Sequence, residues 1–95
     1  MDYSTVRYGS LKGRHVVITG GASGIGAELV RAFCQQEAEV SFLDIDENSG
    51  VAIAAETGAS FHPCDLTDIP ALRATMAVIE AAHGPARVLI NNAGK

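Results

Sequence analysis

The chain has no tryptophan, two cysteines and three prolines, and it is short of positive charge. Each scarcity closes off a class of protein. Cys34 and Cys64 stand apart in apolar surroundings. Two such thiols cannot make the disulfide framework of a small secreted domain, and they form no Cys-x-x-Cys pair for zinc or redox chemistry. They are expected as reduced, partly buried thiols in a cytoplasmic protein. Seven Lys and Arg against eleven Asp and Glu leave a net charge of −4, with the basic residues scattered. This argues against a nucleic-acid partner, which needs clustered cations to meet phosphate. No apolar run approaches the length of a membrane span, and Met1 to Lys12 lacks the apolar centre of a signal peptide. No membrane partner is expected.

What is present is a regular alternation. His15 to Thr19 is a β-branched run without polar alternation, as expected of a strand buried on both faces. A glycine-rich turn, Gly20 to Gly26, follows. From Ile25 the apolar residues Ile25, Leu29, Val30, Phe33 and Cys34 recur at helical spacing. Glu39 to Leu43, reaching Asp44, reads as a second strand. Asp46 to Glu56 reads as a polar-capped helix stopped at Gly58. Ser60 to His62 gives a short third strand. A further helix starts at Thr67 or Asp68 with Pro70 in its first turn, carries Ile69, Leu72, Met76 and Ile79 on one face, and ends at Gly84-Pro85. Arg87 to Ile90 is the fourth strand.

The order β-α-β-α-β-α-β, with crossovers of this length, predicts an α/β fold: a partial Rossmann-type parallel sheet in spatial order 3-2-1-4. Residues 1–13 form a lead segment and 14–95 the partial dinucleotide-binding domain.

Thr19-Gly20-Gly21-Ala22-Ser23-Gly24-Ile25-Gly26 joins a buried strand to a helix start, where backbone N–H groups and the helix dipole can face a pyrophosphate. Gly20 would permit the turn, Gly24 would admit the phosphates, and Gly26 would let the helix approach the sheet. No Lys-Ser/Thr follows the last glycine, so this is not a Walker loop. Asp44 closes the second strand at the distance where an acidic residue can accept from ribose hydroxyls, or it could begin a turn. Its charge would repel a 2′-phosphate, and no Arg or Lys stands between Gly21 and Ile25 or just after Asp44 to offset it. That favours NAD over NADP. Asp65 either caps the turn into the next helix or reaches an adenine amino group. Asn91-Asn92-Ala93-Gly94, directly after a strand, could tie loops together, line a cleft, or simply turn. His62 and Cys64 lack the partners of a metal site. His15 and His83 belong to no usable constellation and are expected near the surface.

In this order, the glycine motif, the strand-end Asp, the later Asp and Asn-Asn-Ala-Gly resemble the short-chain dehydrogenase/reductase family, from Leu11 to Gly94. The resemblance implies an oxidoreductase moving hydride between NAD(H) and the hydroxyl of a small alcohol or sugar. It implies that Gly20, Ser23, Gly24, Ile25 and Gly26 hold the pyrophosphate and Asp44 the adenosine ribose. Asp65 and Leu66 would border the adenine, and Asn92 and Ala93 would lie further along the cofactor. Asn91 would support the sheet. Tyr8-x-Ser10-Leu11-Lys12-Gly13, F-L-D-I and C-D-L further resemble bacterial sugar dehydrogenases acting at the anomeric carbon.

Family catalysis uses a Ser, a Tyr-x-x-x-Lys pair and an Asn that all follow Asn-Asn-Ala-Gly. None of these positions lies within the 95 residues, so no catalytic residue is assigned, and inactivity of the chain alone is expected. Tyr8-x-x-x-Lys12 matches the spacing by chance, ahead of the fold. A fragment of a homo-oligomeric parent is the leading reading, with Val88 to Asn91 left as an aggregation-prone edge. The alternative is an inactive nucleotide-binding module acting through a partner chain. A methyltransferase-like domain fits the Asn-Asn-Ala-Gly segment poorly.

Overall fold

The computed structural model describes residues 11–92. Seven elements follow one another: β1 (His15–Thr19), α1 (Gly24–Gln35), β2 (Glu39–Asp44), α2 (Glu47–Thr57), β3 (Ser60–Pro63), α3 (Ile69–His83) and β4 (Val88–Asn91). All strand pairs are parallel and the spatial order is β3-β2-β1-β4, as the crossover lengths predict. Element ends shift from the sequence reading by a residue or so, most visibly at β4, which starts at Val88 and takes in Asn91.

β1 is the centre of the sheet and every one of its residues is buried. Alternation along the strand divides them between two cores. Val16 and Ile18 join Val30, Val40, Phe42 and Ile53 under α1 and α2. Val17 joins Leu43, Cys64 and Ile79 under α3. Each fully buried aliphatic or aromatic side chain contributes about 1.5–3 kcal/mol relative to exposure. The stripe on α3 is shorter than its spacing suggests: Leu72, Met76 and Ile79 pack on the sheet, whereas Ile69 is 48% exposed at the first turn.

Local chemistry fixes the helix ends. Asp46 caps α2 by accepting from the Ser49 backbone N–H, and Gly58 ends it in the left-handed region at φ 82°. Asp68, not Thr67, caps α3 by accepting from the Ala71 N–H, with Pro70 in the first turn. Gly50 stands in α2 for a packing reason: a Cβ there would run into the Phe61 ring.

His15 corrects the sequence reading, which put it near the surface. It is 5% exposed, with Nδ1 3.0 Å from the Gly84 carbonyl and Nε2 3.0 Å from Ser41 Oγ. Strand alternation puts His15 on the face of Val17, beneath the end of α3. A short apolar run does not say which of its ends will be roofed by a later helix.

Candidate dinucleotide-binding site

The four strands all present their carboxyl ends at one edge, where the glycine turn, Asp44, Asp65 and Asn92 also lie. In open parallel sheets this edge is where ligands bind. Gly20 leaves β1 at φ 71°, in the region that disfavours a side chain, and its N–H donates to the Leu43 carbonyl at 2.7 Å. The turn is therefore pinned to β2 at its first residue. Gly24 begins α1 at φ 59°, and a Cβ there would point into open space, so the backbone at the helix start is accessible. Gly26 works differently. A Cβ on it would strike the Gly20 carbonyl and come within 2.8 Å of Asn92 Nδ2, so only glycine lets α1 come this close to the turn.

Ser23 is the N-cap of α1 in extended conformation, yet its side chain makes no cap hydrogen bond. No acidic residue stands in the first turn of α1, and Ser23, Gly24 and Ile25 are all exposed, so the N–H groups of the helix start and the Ser23 hydroxyl are open to a ligand. That is a donor set suited to an anion. Ile25 beside them is 72% exposed. The cradle thus fits the diphosphate of a dinucleotide: Ser23, Gly24, Ile25 and Gly26 could hold it.

Asp44 is more constrained than a free ribose acceptor. Its Oδ2 accepts from the Ala22 N–H at 3.1 Å, across from the glycine turn, and its Oδ1 accepts from the Asp46 N–H at 3.0 Å. The carboxylate thus braces the turn and the entry to α2 at the carboxyl end of β2. Asp65 makes the turn its spacing allowed. Its carboxylate accepts from the Thr67 hydroxyl at 2.7 Å and the Thr67 N–H at 3.0 Å, and those two bonds hold its carboxyl below the usual range. Leu66 packs against the Val17–Leu43 core, so part of it serves the interior.

Asn91 and Asn92 divide their labour. Thr19 Oγ1 donates to Asn91 Oδ1 at 2.9 Å, which joins the ends of β1 and β4. Asn92 Nδ2 donates to the Gly20 carbonyl at 3.1 Å, and its N–H donates to Thr19 Oγ1 at 3.1 Å. Asn92 therefore clamps the glycine turn from behind. Ala93 and Tyr8 lie outside the described residues. Lys12, the other half of the chance Tyr-x-x-x-Lys spacing, pairs with Glu37 at 3.7 Å on the surface.

Two contributors escaped the sequence reading. Gly21 is buried against Phe42, where a Cβ would meet the Phe42 Cβ at 2.7 Å and the ring's Cδ2 at 2.8 Å. Thr19 supplies the hydroxyl shared between the two asparagines. The Thr at the head of the glycine motif was the available signal for that link.

A family model described as short chain dehydrogenase matches residues 14–95, and the chain belongs to that family of oxidoreductases, whose members bind a nicotinamide dinucleotide. It is 48% identical over 96 residues to a D-xylose 1-dehydrogenase of Caulobacter vibrioides, covering 96% of this chain and 37% of the relative. It is 42% identical over 101 residues to a probable galactose dehydrogenase of Rhizobium meliloti, covering 100% of this chain and 40% of the relative. Among solved structures, a metagenomic short-chain oxidoreductase in complex with NADP superposes with a TM-score of 0.84 at 36% identity, over 90% of this chain and 41% of that one. The chain thus spans about two-fifths of the length of the relatives it matches.

Proposed function

We propose that this chain is the NAD-holding part of a short-chain dehydrogenase that oxidises a sugar or small alcohol hydroxyl to a carbonyl. The observation that carries the NAD assignment is Asp44. It is a carboxylate fixed at the end of β2 by two backbone N–H groups, with no Arg or Lys among Gly21 to Ile25 or Ile45 to Gly50 to neutralise a 2′-phosphate. A phosphate brought against that carboxylate meets repulsion, whereas ribose hydroxyls can donate to its remaining lone pairs. Gly20, Ser23, Gly24, Ile25 and Gly26 hold the pyrophosphate. Asp65 with Leu66 borders the adenine, and Asn92 with Ala93 lies further along the cofactor. The cofactor supplies the hydride acceptor; these residues bind and orient it.

Relatives that act on xylose and galactose support an aldose as substrate of the parent protein. No catalytic residue is assigned among the 95, so the expected behaviour of the chain alone is binding without turnover. The deciding experiment is calorimetric titration with NAD and NADP of the native chain and of Asp44→Asn. The variant keeps an acceptor oxygen and removes the charge. NAD should bind the native chain more tightly than NADP, and the ratio should narrow by about tenfold in the variant, the scale of one charge contact. Equal affinities in the native chain would overturn the NAD assignment. Reduction of NAD by the chain alone with an aldose would overturn the division of labour.

A further inference from the structure

Successive N–H groups of the glycine turn point toward β2 rather than toward solvent. Those of Gly20 and Gly21 donate to the Leu43 carbonyl at 2.7 and 3.4 Å, and that of Ala22 donates to Asp44 Oδ2 at 3.1 Å. Asp44 Oδ1 takes a further N–H at 3.0 Å, from Asp46 at the N-cap of α2. One carboxylate thus receives backbone donors from two loops, the β1–α1 turn and the β2–α2 turn.

A carboxylate held in this way is an anion bound in a site. The Asp46 bond closes within a local turn, but Ala22 lies 22 residues away in sequence and is 3% exposed, so the fold itself brings its N–H to this point. α2 begins directly after Asp46, which sets the positive end of its dipole beside the carboxylate. Two converging N–H groups at a helix start are the donors that a phosphate takes up. The acidic groups close by are Asp46, turned to the Ser49 N–H and hydroxyl, and Glu47 in the first turn of α2. No Lys or Arg stands among Gly21 to Ile25 or Ile45 to Gly50, so backbone donors rather than a neighbouring cation hold the charge.

We propose that the end of β2 carries an oxyanion seat whose resident is the Asp44 carboxylate, and that the seat takes a phosphate, such as the 2′-phosphate of NADP, once that carboxylate is removed. The choice of dinucleotide rests on the cofactor reading above; the seat itself does not. Selection against NADP then has two parts. The charge of Asp44 repels the phosphate, and its oxygens occupy the donors the phosphate needs. Removing the charge alone leaves the second part in force. Asp44→Asn is neutral but still fills the space and keeps an acceptor oxygen. Asp44→Ala empties the half-buried position and frees both N–H groups.

Two titrations followed by amide NMR of the full 95-residue chain separate these parts. The first uses inorganic phosphate. Phosphate taken up by the glycine cradle moves Ser23 to Ile25 in every variant, so the Asp46 amide on the other loop is the specific reporter. In Asp44→Ala the Ala22 and Asp46 amides should shift together and saturate, while the Asp46 amide stays put in the native chain and in Asp44→Asn. The second uses NADP, which Asp44→Ala should bind about tenfold more tightly than Asp44→Asn, the scale of one or two neutral hydrogen bonds. Asp44→Ser also clears the seat and should behave like Asp44→Ala, which keeps the test decisive if the alanine variant does not fold. An unmoved Asp46 amide, or equal NADP affinity in the emptied and Asn variants, would overturn the seat, and NAD binding by the native chain would leave the cofactor reading standing. A native chain that binds neither dinucleotide would overturn the cofactor reading, while phosphate shifting both amides in Asp44→Ala would still uphold the seat.

Discussion

Gly26 and Ser23 sit three residues apart in one motif, yet their substitution has opposite consequences. A methyl group at Gly26 meets the Gly20 carbonyl and Asn92, which cannot yield without moving the turn. Gly26→Ala should therefore cost about 1–3 kcal/mol in a denaturant titration, the usual penalty of overpacking. Ser23 makes no cap bond, so Ser23→Ala should leave stability within about 0.5 kcal/mol. The same change should weaken dinucleotide binding roughly five- to tenfold, the worth of one neutral hydrogen bond of about 1 kcal/mol, when affinity is measured by titration. His62 adds a pH dependence. Burial first, and then the positive charge of His83, push its pKa below the ordinary 6.5. A group whose folded pKa is depressed favours the fold in its deprotonated form. The fold therefore keeps this contribution above pH 6.5 and loses it as pH falls from there to the depressed value. Melting temperature followed downward from neutral pH should fall more steeply in the native chain than in His62→Gln.

Among the elements, α3 shows what the sequence makes legible and what it hides. Its cap, its proline and its glycine stop are local chemistry, readable from Thr67-Asp68-Ile69-Pro70 and Gly84-Pro85 without any tertiary knowledge. Asp68→Ala should cost about 1 kcal/mol of stability, measured by denaturant unfolding, because the Ala71 N–H loses its acceptor. The parallel order of the sheet was equally legible, since crossovers of fixed hand leave few alternatives. The glycines and Asp44 could be placed because the strand-to-helix junction dictates their surroundings. What the sequence could not supply was every feature set by contacts between distant segments. His15 becomes buried because α3 ends over it, and Ile69, at the first turn of α3, stays exposed outside the cluster that Leu72, Met76 and Ile79 join. Asp44 reads from sequence as a ribose acceptor or the start of a turn; that it also braces Ala22 depends on the spacing between two strand ends.

For the molecule as a whole, β4 forms a partly uncovered margin of the four-stranded sheet among the described residues. β4 pairs with β1 along one side. Its Val88 and Ile90 pack toward α1, but Leu89 on the opposite face is 61% exposed, because α3 covers β1 and β2 instead. Unpaired backbone groups beside an exposed apolar side chain are a template for association. The 95-residue chain should therefore self-associate in sedimentation velocity. Leu89→Lys should raise the dissociation constant at least about tenfold, since burying one leucine is worth about 1.5–3 kcal/mol. A monomer at all concentrations in the native chain would show that β4 is adequately protected.

The Asn92–Gly20 hydrogen bond also bears on how the protein reaches its native state. It joins residues 72 apart, whereas the Asp44–Ala22 bond closes a loop of 22. Chain-closure entropy alone makes the longer contact harder to form by about 1 kcal/mol. The β1-α1-β2 unit can therefore assemble from neighbouring sequence, while the rear clamp waits for β4 to arrive. During synthesis the glycine turn would exist in outline well before Asn92 holds it rigid, and competence to bind a dinucleotide would come with the docking of β4. Binding thereby reports that β4 has docked. In pulse-labelled refolding the Asn92 amide should gain protection after those of β1 and β2, and added NAD should slow unfolding more than it speeds folding.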